Sequence, residues 1–218
     1  MQASTGCSFL LLGLMLSGLL LVPTKPAQAQ LFGPGKFKIE KTVDRFATDG
    51  LATITGKNNR ISKKSPAGGI YIDNGGIYLE PDAVVRQSDG SLVSLALLIH
   101  NETESDTLVG RPNSLGMLRQ ITFIIDAGSP AAFPIRDADN KVADTVQYNS
   151  VTRSASSAIS ERGLVILTRE QFHQIASASS IAVKLEGSDR SVVFNERDIA
   201  KSFLPNLQAF EAALPSRK

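Results

Sequence analysis

LVILTREQFHQIASASSIAVKLEGSDRSVVFNERDIAKSFLPNLQAFEAAL, Leu164–Leu214, is the stretch in which every level of local signal agrees. Val165 and Leu167 close a short apolar run. Thr168 and Gln171 then match a capping box, in which each side chain takes a backbone N–H that the first helical turn leaves unpaired. Phe172, Ile175 and Ala176 follow at spacings of three and four, so they share one face of the helix that opens there. Two β-favouring runs, Ile181–Leu185 and Ser191–Phe194, flank the turn-forming Glu186-Gly187-Ser188-Asp189-Arg190. Asn195 caps a second helix whose Ile199, Phe203, Leu207, Phe210 and Leu214 form one stripe. Pro205 lies inside that pattern, and the stripe keeps phase across it. The sequence therefore predicts one kinked helix over 196–213 rather than a break. The unit reads strand, helix, hairpin, helix, and it needs a sheet to bury against.

The residues upstream can supply one. Phe37–Phe46 alternates apolar and polar, Asp49-Gly50 turns it, and Leu51–Thr55 is a second strand. Residues 57–66 are basic, polar and unpatterned, which reads as a surface loop. Gly68–Asn74 and Gly75–Pro81 echo one another at a period of seven, and Asn74-Gly75 is the preferred two-residue type I′ turn between them. That register sets Tyr71 opposite Tyr78 on one face, with Ile70, Ile72, Ile77 and Leu79 on the other. Asp89-Gly90 marks another hairpin, joining Ala83–Ser88 to Ser91–His100, on which Val93, Leu95, Leu97 and Ile99 form the core face. Arg119–Asp126, Val142–Tyr148 and Ala158–Arg162 complete the strands. The expected class is α+β: an antiparallel sheet, partly sandwich-like in its N-terminal half, with two C-terminal helices packed on it. Gly110–Gly116 is the one boundary candidate between a β-rich region 30–110 and an α+β region 111–218, which can equally form one domain.

Phe9–Val22 is a nearly all-apolar run of fourteen, followed by Ala27-Gln28-Ala29. The pattern is that of a secretory signal peptide over residues 1–29, cleaved after Ala29. Fourteen residues at 1.5 Å rise fall short of a hydrocarbon core of about 30 Å, so the run does not span as a helix. The expected location is secreted or periplasmic, with no transmembrane segment in the mature chain. The only cysteine, Cys7, lies in the leader, so Gln30–Lys218 can hold no disulfide and no thiol nucleophile. Gln30–Lys218 carries 22 Lys/Arg against 21 Asp/Glu, a net +1, which argues against a dedicated nucleic-acid binder. The charges are unevenly placed: residues 30–69 hold eight basic and three acidic residues, residues 70–110 one basic and seven acidic. Local balance within the fold accounts for this. The alternative is a polyanion-binding face at Lys57, Arg60, Lys63 and Lys64.

Chemistry-bearing motifs are sparse. Asn113-Ser114-Leu115-Gly116 matches only the second half of a Gly-x-Ser-x-Gly elbow and has Pro112 where the first glycine belongs. Asp137-Ala138-Asp139-Asn140-Lys141 begins like a calcium loop but places Lys141 at a ligand position. His100, Glu102, Glu104 and Asp106 recur at every second residue and would line one face if their strand continued. Nothing apolar supports continuation past Ile99, so they read as a solvated loop and no metal or cofactor is assigned. Asn101-Glu102-Thr103 is a glycosylation sequon. The Tyr71/Tyr78 pair is the one surface feature with shape, a stacking platform for sugar or peptide. These readings add up to an exported, non-catalytic protein that binds or scaffolds an envelope component, protein or polysaccharide. The competing reading is an exported hydrolase whose Asp/Glu carboxylates only the fold would bring together.

Overall fold

The computed structural model describes residues 36–43, 50–61, 76–106, 114–144, 146–151 and 153–215. The signal-peptide, Asn74-Gly75 turn, Tyr71, Lys63 and Lys64 expectations fall outside these residues. Eleven strands are described: β1 (Lys38–Val43), β2 (Leu51–Lys57), β3 (Gly76–Arg86), β4 (Leu92–Asp106), β5 (Leu118–Ile125), β6 (Ala131–Pro134), β7 (Arg136–Val142), β8 (Gln147–Asn149), β9 (Ser154–Ile166), β10 (Ile181–Gly187) and β11 (Ser191–Phe194). They build a seven-stranded sheet, ordered β1-β2-β3-β4-β9-β7 with β8 also on β9, and a four-stranded sheet, β11-β10-β5-β6. Every pairing is antiparallel. The α+β class is thus correct. The larger sheet draws strands from both sides of residue 110, and one hydrophobic core joins the two sheets and the helices.

The C-terminal unit forms as its local signals require, with one correction. The capping box at Thr168 is complete: the Gln171 amide donates to Thr168 Oγ1 at 3.2 Å and the Thr168 amide to Gln171 Oε1 at 2.8 Å. It opens α1 (Arg169–Ala176), which buries Phe172, Ile175 and Ala176. Helix α1 carries the chain from the larger sheet to the smaller one, where β10 and β11 form the expected hairpin. The single kinked helix over 196–213 does not form. Glu196–Asp198 is one 3-10 turn, the chain is extended at Ile199, and α2 runs Phe203–Ala213. Pro205 falls in the first turn of α2, where its missing N–H would have no intrahelical acceptor, so it starts this helix instead of bending a longer one. The stripe survives: Phe203, Leu207 and Phe210 are buried, and the Phe210 ring meets Phe172 of α1 edge-on at 5.8 Å between centroids.

Strand β3 is longer than expected because it passes straight through Pro81. The Leu79 amide donates to Asn59 and the Ile77 carbonyl accepts from Ile61, so Pro81 presents its missing donor to the same neighbour. The β2–β3 ladder stops at Thr55↔Asp82. Gly56 fits beside the proline because it has no side chain: a Cβ there would lie 2.8 Å from Pro81 Cγ and 2.9 Å from the Phe37 ring. The chain re-engages through the Arg60↔Tyr78 bridge, with Asn59 and Ile61 fully buried. The start of the expected 57–66 surface loop is therefore an integral part of the sheet.

Turn 87–91 joins β3 to β4 as predicted, with Gly90 at φ +72 and the Ser91 amide bonded to Asp89 Oδ1. Leu95, Leu97 and Ile99 point into the core. Val93 does not: the register shifts between Val84 and Val85, which pair with Ser94 and Leu92, so Val93 is the extra residue of a bulge and is exposed. Strand β4 also continues to Asp106, against expectation. Backbone pairing with β9, from Ala96↔Ile166 to Asp106↔Ser156, carries it where no apolar signal does.

Candidate functional site

Cross-strand registers on the outer face of the larger sheet bring polar residues into one row. Arg60 pairs with Tyr78, Tyr78 with His100, His100 with Arg162 and Arg162 with Asp139. Tyr78 is only 5 % exposed. The Arg60 guanidinium carbon lies 5.2 Å from the centroid of its ring, and Arg60 Nη2 donates to its hydroxyl at 3.0 Å. Burial pushes the Tyr78 hydroxyl up from its ordinary pKa, against the pull of Arg60. Tyr78 is flanked in its ladder by Arg60 and His100. Tyr78 is a covered ring.

The next residues along the row make a Ser/His/Glu set that sequence spacing did not reveal. His100 Nε2 meets Glu102 Oε1 and lies 3.5 Å from Ser160 Oγ. Ser160 Oγ donates to Glu102 Oε1 at 3.1 Å and accepts from Arg162 Nε at 3.1 Å. A proton relay needs the acid on one imidazole nitrogen and the nucleophile on the other. Here both partners address the same nitrogen and the serine proton is committed to the carboxylate, so this set is not wired to activate Ser160. Burial opposes ionisation of Glu102, but His100, Ser160 and Arg162 together outweigh it and hold the carboxyl below its usual range. Among the described residues, no group of three His, Cys, Asp or Glu is placed to hold a metal.

Behind the row, on the inward face, Glu161 is fully buried. Its carboxylate accepts from Asn101 Nδ2 at 2.7 Å, Ser114 Oγ at 2.6 Å and the amides of Leu115 and Gly116 at 2.8–3.0 Å. Four donors surround it, which is how a buried carboxylate is accommodated without a cation. Residues 114–117 in turn bind the 187–190 turn of the smaller sheet: Asp189 N donates to Leu115 O, and Ser188 N to Met117 O. Gly116, at φ +79, approaches so closely that a Cβ would lie 2.2 Å from Ser188 Oγ. One carboxylate thus clamps the sheets together. Ser114 is committed to it, which ends the elbow reading, and Asn101 of the sequon is buried against it.

Of the four expected polyanion residues, two are described. Lys57 Nζ lies 2.7 Å from Glu40, which Lys38 also meets at 2.6 Å, and Arg60 is committed to Tyr78. Hydrogen bonds from Lys38 and then Lys57 lower the Glu40 pKa to about 2, while Glu40 raises that of Lys57. Lys57 is balanced by Glu40 at the sheet edge.

A different surface stands out. β7 and β8 lie one after the other along the same edge of β9, and the turn after β8 leads directly into β9. β7 carries charges and a bulge, with Asp137 at φ 48 and a register shift between Arg136 and Asp139. Such features discourage pairing with foreign strands, as do Lys38, Glu40 and Lys41 on β1. β8, Gln147-Tyr148-Asn149, has neither, and Val146, Tyr148 and Val151 around it are 62 %, 68 % and 91 % exposed. The sequence reading missed Tyr148 because period-two alternation cannot say which strand ends at an open edge. Comparison with protein-family models, curated proteins and solved structures finds no match to this chain.

Proposed function

We propose that this chain is an exported, secreted or periplasmic protein of the cell envelope that binds or scaffolds another envelope component without catalysis, using the β8 edge. One observation carries the reading. Among the described large apolar side chains, the three most exposed are Val146, Tyr148 and Val151, all on one hairpin. Concentrated apolar exposure beside an unguarded strand edge is the signature of an interaction surface, and strand addition is the mode it offers. The wiring of His100, Glu102 and Ser160 supports the non-catalytic part. The test expresses the full-length reading frame in its native host with a photo-crosslinking phenylalanine at position 148 or, as control, at Val193 on β11, which is 53 % exposed. The reading expects a mature N-terminus at Gln30 and adducts from 148 that 193 does not give. An intact Met1 together with equal or absent adducts overturns it.

A further inference from the structure

We infer that N-glycosylation at Asn101 and the native fold exclude one another: the folded chain is not an acceptor, and a chain glycosylated first cannot close its core. This goes beyond the binding reading and does not depend on it. Asn101-Glu102-Thr103 is the only Asn-x-Ser/Thr tripeptide in the chain. Such a tripeptide takes an oligosaccharide on its asparagine amide, and its ordinary place is a surface loop. Here it lies within β4, between β3 and β9 in the middle of the larger sheet.

Asn101 pairs with Ile77 on one side and Glu161 on the other, and all three are fully buried. Strand alternation places Thr103 on the same inward face, so the amide and the hydroxyl that a transferase reads together both sit on the core side. Asn101 Nδ2 donates to Glu161 Oε2 at 2.7 Å. In the transfer, Nδ2 bonds to C1 of the sugar and one amide proton leaves. The C1–O bond to the lipid diphosphate donor breaks, and its electrons stay on the diphosphate. The N–H that remains can still serve Glu161, but the sugar has no place. It is polar, larger than any side chain, and would stand where the other amide hydrogen stood, inside a close-packed interior. Bringing it to solvent turns Asn101 outward. That withdraws a donor from the carboxylate that clamps the two sheets, and it breaks the pairing of a central strand. Folding first gives the opposite result, because Nδ2 is reached only when β4 opens. Which event comes first decides the fate of the chain.

Solubilised yeast microsomes, which hold the transferase and its lipid-linked donor, supply the test. They are mixed with the purified full-length gene product, either folded or freshly diluted from urea. Mass spectrometry locates the sugar, and limited proteolysis reports the folding of each fraction. The folded parent should gain sugar at Asn101 at least about a hundredfold more slowly than the diluted chain, since access needs a central strand to open. Of the diluted chain, the fraction bearing sugar should be digested while the bare fraction refolds and resists. Arg197→Thr completes the same tripeptide at Asn195, which is exposed at the cap of the 3-10 turn. That chain should accept sugar at Asn195 while folded and remain resistant. Three results overturn the inference: sugar on Asn101 of the folded parent at the rate seen at Asn195, no transfer to the diluted parent, or an Asn101-linked chain as resistant as the bare one. If Arg197→Thr fails to fold or takes no sugar when folded, the resistance of the Asn101-linked fraction decides alone.

Discussion

Glu161 shows how much one side chain can decide. Its four donors come from β4 and from residues 114–116, and the latter also grip the turn of the smaller sheet. Replacing it by leucine keeps the volume but strands those donors in the interior. Each buried donor left without a partner costs about 1–3 kcal/mol, so with four stranded, Glu161→Leu should lose at least about 4 kcal/mol in urea unfolding, and Glu161→Gln clearly less. A leucine variant as stable as the parent would refute the clamp. The residue was legible in part: Ile159, Glu161, Gly163 and Val165 alternate in phase, so a glutamate stands in an inward row. Its partners were not, because Asn101 and Ser114 are 60 and 47 residues away in sequence. Glu40 offers a pH test. Its folded pKa, about 2, is depressed below the ordinary 4.5 by Lys38 and Lys57. A depressed carboxyl contributes stability above its unfolded pKa and loses it as pH falls toward the folded one. The stability gap between the parent and Glu40→Gln should therefore be full above pH 4.5 and closed near pH 2, and a Glu40 titration by NMR should have its midpoint near 2. A midpoint near 4.5 would remove the triad of charges.

Among the elements, α2 and β4 show where local signals suffice. Phe203, Leu207 and Phe210 fall on one face of α2 as their spacing requires, because spacing of apolar residues is a property of the chain itself, whereas Ile199 of the expected stripe lies before the helix. Phe203 and Phe210 are fully buried, and cutting either to alanine should cost about 3–5 kcal/mol. The helix start was misplaced because propensity rules say that Pro205 disturbs a helix without saying which side of it survives. Its position in the first turn makes a sharp prediction. Removing an interior helix proline would stabilise by about 3 kcal/mol, whereas Pro205→Ala should change stability by less than about 1 kcal/mol. A large gain in thermal unfolding would put the proline back inside the helix. Strand β4 fails in the opposite direction. Residues 100–106 are polar and carry no strand signal, yet they pair along β9 residue for residue. Only the partner strand, fifty residues downstream, makes them a strand.

At the scale of the molecule, the layer arrangement followed from the sequence: amphipathic helices and a hairpin imply a sheet, and the alternating strands supply it. Strand order did not follow, since β9 leaves the C-terminal unit to sit beside β4 while β10 joins β5. Nor did the site. The tyrosine and lysine features that stood out in sequence are, where described, committed to partners inside the sheet, and among the described residues β8, a short strand with no motif, pairs on one side only. The account stands on that edge being where this protein meets another chain. Hydrogen exchange tests it most directly, comparing amides of Val146–Asn149 in the dilute protein with those at high concentration and in envelope extract. The account predicts that these amides exchange fast when dilute and become protected in at least one of the other two conditions, while β11 is unchanged. Exchange at β8 that stays the same throughout, or protection that arises at β11 or β1 instead, would contradict it.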